Sequence, residues 1–126
     1  GKAMDGLYAA MTVQNPYTDE QTPGIRFWAN KYKTKFNEDP TVFSVYGYMI
    51  VNTFASAANK AGKNLTTDSY IKVMDSMTIP ADMFGAPVQT FTATKRLGSN
   101  ASRLSQITDG KWKVVSEYVS DAPAKK

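Results

Sequence analysis

The chain has 126 residues, 42% of them apolar and 21% charged, and fifteen Lys and Arg against eleven Asp and Glu give a net charge of +4. That composition fits one globular domain and does not fit a disordered chain. There is no Cys and no His, which excludes a disulfide framework, a thiolate nucleophile, a zinc ribbon, a Ser-His-Asp triad and an imidazole base. Carboxylate chemistry, lysine chemistry and plain binding stay open. No stretch approaches the roughly 18 consecutive apolar residues of a membrane span. The start, Gly1 to Asp5, has neither a basic n-region nor an apolar h-region, so any signal peptide is read as already removed.

The first apolar run, Leu7 to Val13, lies between Asp5-Gly6 and Asn15-Pro16 and reads as a buried strand. A polar loop follows from Tyr17. Thr22-Pro23 opens a helix, with Thr22 as N-cap and Pro23 at the first helical position, where a missing N–H costs nothing. Ile25, Trp28, Tyr32 and Phe36 make one apolar stripe along it, and Asn37 to Pro40 stops it. Trp28 is read as core.

A second helix is expected from about Val42 to Ala61, ending at Gly62. It is apolar nearly all round, so it should be buried on several sides. A third helix should run from Thr67 or Asp68 to Met77, with Tyr70, Ile71 and Met74 inward. Pro80 to Pro87 reads as irregular loop, Val88 to Thr94 as a strand and Lys95 to Ser99 as a turn. Arg103–Thr108 and Lys111–Val119 flank Asp109-Gly110, a strong two-residue hairpin signal. Trp112 is read as a cross-strand packing residue, and the tail 120–126 as frayed.

The densest basic run, Lys31-Tyr32-Lys33-Thr34-Lys35, falls on the outer face of the first helix and reads as a solvated face. No Arg-rich groove accompanies it, so no nucleic-acid partner is expected. Asp5, Asp19 and Glu20 sit in turns or loops with no partner at readable spacing, and no catalytic residue and no metal or cofactor site is assigned. The order is β-α-α-α-β-β-β. The helices carry more apolar surface than one early strand and a hairpin can cover.

Four motifs carry a resemblance. They are Phe27, Tyr32, Phe36 and Pro40 in the first helix, Gly47-Tyr48 through Ala57-Ala58 to Ala61-Gly62 in the second, Gly85 to Phe91, and Leu104-Ser105-Gln106-Ile107-Thr108-Asp109-Gly110-Lys111-Trp112-Lys113-Val114 at the close. In this order the chain resembles the C-terminal part of the extracytoplasmic solute-binding proteins of ABC transporters, of the leucine/isoleucine/valine-binding type. It departs from their pattern at Met49, where an acidic residue is common, and at Pro87, where Gly is common. The resemblance implies an α/β chain that is the C-terminal portion of a two-lobed periplasmic-binding-protein type 1 fold. Residues 1–119 would be a partial solute-binding domain whose N-terminal part is absent.

The resemblance further implies periplasmic binding without chemistry. A small solute, a branched-chain amino acid or an aromatic or aliphatic carboxylate, would be held between two lobes and passed to a membrane permease. An aromatic near the solute falls at Phe43, by the start of the second helix, where free N–H groups would suit a solute carboxylate. Tyr46 shares its helix face. Tyr48 matches a recurrent tyrosine that also suits core packing. Tyr8 and Tyr17 fall where the chain would cross between lobes. The partners are then the small-molecule solute, the permease and the remaining N-terminal part of the same protein. A ligand-sensing receptor of the same fold, or a free-standing dimerising domain that self-associates through its uncovered helix surface, are the alternatives.

Overall fold

The computed structural model describes residues 2–120. A short 3-10 turn, Lys2–Met4, leads into β1 (Tyr8–Met11), followed by α1 (Pro23–Phe36), α2 (Val42–Ala61) and α3 (Thr67–Met74). Five strands follow among the described residues: β2 (Thr78–Ile79), β3 (Gln89–Thr90), β4 (Ala101–Thr108), β5 (Lys111–Val114) and β6 (Val119–Ser120).

Each helix begins and ends where local chemistry requires. Pro23 occupies the first turn of α1, and Thr22 stands at the N-cap but makes no side-chain cap bond. Asn37 stops α1 at a φ of 55°, its N–H donating to the Lys33 carbonyl at 2.8 Å. Asn tolerates this left-handed conformation better than most residues. Both α2 and α3 open with a reciprocal box in which Ser takes the place of the usual Glu or Gln. The Thr41 N–H donates to Ser44 Oγ at 3.1 Å, and the Thr66 N–H to Ser69 Oγ at 2.9 Å.

The main sheet is built on β4. It pairs antiparallel with β1, from Tyr8↔Gln106 to Met11↔Arg103, and with β5, from Ser105↔Val114 to Thr108↔Lys111. The β4–β5 turn is made by Asp109 and Gly110 at φ 53° and 74°, the paired positive φ values of a type I′ hairpin. The Asp5 carboxylate caps it, accepting the N–H groups of Asp109 and Gly110 at 3.2 and 2.9 Å. Beyond Val114 the chain bulges, because five steps from Val114 to Val119 face only three from Ser105 to Ser102. After the bulge β6 rejoins β4. β2 and β3 form a separate two-stranded ribbon.

The core gathers Val13, Ile25, Val45, Phe84 and Ala86, with Trp28, Val42, Tyr46 and Met49 packed against it. Phe84 is its largest fully buried side chain. Trp28 meets it edge-on at 5.1 Å between ring centroids, and Tyr48 at 5.9 Å.

Several expectations are corrected. The first strand is not buried: Leu7 and Tyr8 are exposed, and the buried Val13 lies beyond the strand's end. Only Val45 and Ala57 of α2 are buried. Helix α3 stops at Met74 and leaves Ile71 exposed, while Thr78–Ile79, assigned to no element in advance, pairs with β3. The strand expected over Val88–Thr94 shrinks to Gln89–Thr90, and the second hairpin strand is broken by the bulge. Ser120 is paired rather than frayed; the rest of that tail, 121–126, lies outside the described residues.

The accessible surface is 8727 Å². A compact monomer of 13.9 kDa would expose roughly 6,700 Å². Much of α2 contributes to the excess, with Phe43 77% and Ile50 70% exposed. The helix carries a face built for burial that nothing within the described residues covers.

Candidate functional site

Helix α2 brings Phe43 and Tyr46 onto one face one turn apart, their rings edge-to-face at 6.0 Å. Phe43 is held out of the core while Tyr46 packs against it. The Tyr46 hydroxyl shares a hydrogen bond of 3.1 Å with Thr12 Oγ1, just past the end of β1. The two rings form an aromatic wall in the edge-to-face arrangement that ring quadrupoles favour. Farther along α2, a groove of about 490 Å³ opens between Tyr46, Met49, Ile50, Phe54, Tyr70 and Phe91. The helix start is less free for an anion than its position suggested, because the Phe43 N–H already donates to Thr41 Oγ1 at 3.2 Å.

The other three expected tyrosines stand elsewhere, and among the described residues no ring contact joins them to the Phe43–Tyr46 pair. Tyr48 lies edge-on to Trp28 at 5.7 Å and to Phe84, on the α1 side of α2. Tyr8 is an exposed residue of β1 opposite Gln106. Tyr17 accepts the Trp112 N–H at its hydroxyl at 2.7 Å, tying the loop after β1 to the hairpin.

Beside Tyr17 a polar cleft of about 530 Å³ is lined by Gln14, Asp19, Glu20, Lys111 and Lys113 among others. The Lys111 ammonium lies 5.2 Å from the Tyr17 ring centroid and pairs with the Asp19 carboxylate. The hydrogen bond from Lys111 lowers the Asp19 pKa, and the same bond raises that of Lys111. Among the acidic side chains of these loops, Asp5 caps a turn, Asp19 pairs with Lys111, and Glu20 accepts the Gln21 N–H at 2.9 Å.

Sequence reasoning missed Tyr118 and Arg103. The Tyr118 hydroxyl donates toward the Thr12 carbonyl at 2.6 Å and toward that of Gly85. Its pKa is raised, chiefly by burial, which disfavours the phenolate, with the Arg103 charge opposing. The Asp82 carboxylate organises the neighbouring loop, accepting the N–H groups of Phe84 at 2.9 Å and Ala86 at 3.2 Å. The one available signal was Gly85 itself, which takes a φ of +70°.

Among the described residues, no group of three acidic side chains could hold a metal ion, and no helix is long and apolar enough to cross a membrane.

A family model described as periplasmic binding protein matches residues 1–111. Solved structures with the same chain path include a branched-chain amino acid ABC transporter protein of Thermus thermophilus with bound valine. It is 22% identical, with a TM-score of 0.73 over 97% of this chain and 35% of its own. An ABC-transporter solute-binding protein of Rhodopseudomonas palustris BisB5, in complex with 3,4-dihydroxybenzoic acid, is 20% identical with a TM-score of 0.66, over 95% of this chain and 31% of its own. A substrate-binding protein of Desulfitobacterium hafniense in complex with Leu is 16% identical with a TM-score of 0.55, over 89% and 32%. The chain therefore spans about a third of the length of the structures it matches. No curated protein matches it.

Proposed function

The chain belongs to the periplasmic binding protein family, and from that premise we propose that it is part of the solute-capturing component of an ABC importer, working outside the cytoplasm. The solute is a branched-chain amino acid or an aromatic or aliphatic carboxylate. Valine, Leu and 3,4-dihydroxybenzoic acid are held by the similar proteins. Capture is by binding alone, and the solute passes to a membrane permease.

The observation that carries this reading is Phe43, a ring 77% exposed that meets Tyr46 edge-to-face, with the Tyr46 hydroxyl hydrogen-bonded to Thr12. An exposed aromatic loses apolar hydration when a solute covers it, and a preset pose avoids ordering losses on binding. The wall suits an aliphatic or aromatic side chain. The solute's carboxylate must be met by other groups, since the Phe43 N–H is already capped.

The uncovered face of α2 supports a second element of the proposal, that the remaining, N-terminal part of the same protein packs there. A stable interface needs an apolar centre, and Ile50 and Phe54 supply one.

A thermal-shift screen of the protein at its full natural length tests the reading. Valine, leucine, benzoate and 3,4-dihydroxybenzoate are offered in turn; a ligand at 100 times its Kd stabilises by about 2.7 kcal/mol, enough to raise the Tm by several degrees. No shift with any of the four sinks the proposed solute class.

A further inference from the structure

The geometry points to Tyr118 as the residue that positions the Phe43–Tyr46 wall, acting through Thr12; the assignment rests on the reading of that wall as a solute-contacting surface. Tyr118 has one hydroxyl proton, and two carbonyls from distant parts of the chain converge on it, Thr12 at 2.6 Å and Gly85. Thr12 then hands the constraint on, because its side chain shares the 3.1 Å hydrogen bond with the Tyr46 hydroxyl. A single residue is thus held at its backbone by Tyr118 and holds α2 by its side chain.

Tyr118 is itself held in place. The Arg103 guanidinium lies 4.8 Å from its ring centroid, a cation–π distance. Arg103 Nη2 donates to the Phe84 carbonyl at 3.4 Å, while its buried Nε has no hydrogen-bond partner. Leaving a buried donor unmet is costly, and native structures keep few such groups. The guanidinium is kept there by the Tyr118 face and by the space at residue 85. A Cβ at Gly85 would stand 2.6 Å from Nη2. Gly85 therefore admits Arg103, Arg103 backs Tyr118, and Tyr118 fixes Thr12.

The gap this bridges is a real one in the backbone. Met11 is the last residue of β1 paired to β4, and the Gln14 N–H next ties the chain to the Phe84 carbonyl at 2.9 Å. Between those two anchors, the carbonyl of Thr12 takes its hydrogen bond from Tyr118.

The test uses the full-length protein with ¹³C-labelled tyrosine rings and two conservative variants, Tyr118→Phe and Thr12→Val. The first keeps the ring under Arg103 and removes the hydroxyl; the second keeps the shape of residue 12 and removes its link to Tyr46. Without solute, Tyr118→Phe is expected to shift the Tyr46 ring resonances in the same direction as Thr12→Val, while those of Tyr8 stay put. A Tyr46 signal unmoved in Tyr118→Phe overturns the assignment. In solute titrations with whichever of leucine, valine, benzoate and 3,4-dihydroxybenzoate binds, Tyr118→Phe is expected to weaken binding about tenfold. The double variant should lose no more than the worse single one, and additive losses overturn the relay. If the unmodified protein binds none of the four, the solute-contact reading fails, and the resonance shifts still decide whether Tyr118 positions Tyr46.

Discussion

Thr12 Oγ1 and the Tyr46 hydroxyl lie 3.1 Å apart across 34 residues of sequence, joining the end of the first strand to the exposed face of the long helix. Tyr46 in turn meets the Phe43 ring edge-to-face at 6.0 Å between centroids.

Phe84 is the hub on the other side of the same helix, fully buried and met edge-on by Trp28 and Tyr48. Phe84→Ala should destabilise the fold by about 3–5 kcal/mol through lost burial and the cavity left behind. Urea unfolding monitored by circular dichroism checks it; a loss under about 1 kcal/mol would mean that the site collapses freely or that Phe84 is not the packing centre.

Gly85→Ala meets two obstacles at once, a φ of +70° and a Cβ within 2.6 Å of Arg103 Nη2. The backbone part costs about 1–2 kcal/mol. Adding Arg103→Ala should recover the steric part and leave the backbone part, so the double variant should be more stable than the sum of the single losses implies. Additive losses in the same unfolding experiment would contradict the contact.

Tyr118 gives the pH dependence a sign. Its folded-state pKa is raised above the ordinary tyrosine value, so its contribution is fully present below about pH 10, the unfolded value, and is lost as pH rises through the folded pKa. Thermal melts between pH 8 and 12 should show this alkaline loss in the parent protein and a smaller one in Tyr118→Phe. Parallel curves would mean that the hydroxyl is not linked to folding.

Asp19 and Lys111 are linked to pH in the opposite and the same sense, respectively. The lowered Asp19 pKa gives stability that is lost as pH falls through it, and the raised Lys111 pKa gives stability that is lost as pH rises through it. Both groups are solvent-exposed, so salt screens the pair and side-chain ordering offsets it. Asp19→Asn should leave the Tm unchanged at physiological salt; a clear drop would show that the Tyr17 loop depends on this pair.

The uncovered α2 face gives a solution prediction for the 126-residue chain alone. With Ile50 and Phe54 exposed, it should self-associate through that face, and Ile50→Lys with Phe54→Lys should shift it toward monomer in sedimentation velocity. A parent chain that is monodisperse and monomeric would contradict this.

What the sequence made legible was what local chemistry decides. Pro23, Asn37 and Asp109-Gly110 each fix a backbone state by their own sterics, so helix α1 and the hairpin could be placed from a few residues. Phe43 was pointed to by the resemblance alone, and Tyr46 by its i+3 spacing on the same helix face. Tyr118 was illegible because its partners Thr12 and Gly85 are 106 and 33 residues away, and it reaches them from a bulge that no turn residue marks. Strand β2 was missed because two residues are too few to show a period. The apolar circumference of α2 was legible as a surface to be covered, but a pattern of side chains does not say which chain covers it. Hence a helix expected to be buried buries only Val45 and Ala57 here.

The most direct test is calorimetric titration of the full-length protein and its Phe43→Ala variant with valine, leucine, benzoate and 3,4-dihydroxybenzoate. A solute wall at the start of α2 requires one-to-one binding of at least one of these and a loss of about tenfold or more on removing the Phe43 ring. Binding that is unchanged in Phe43→Ala, or no binding of any of the four, would contradict a solute wall at the start of α2.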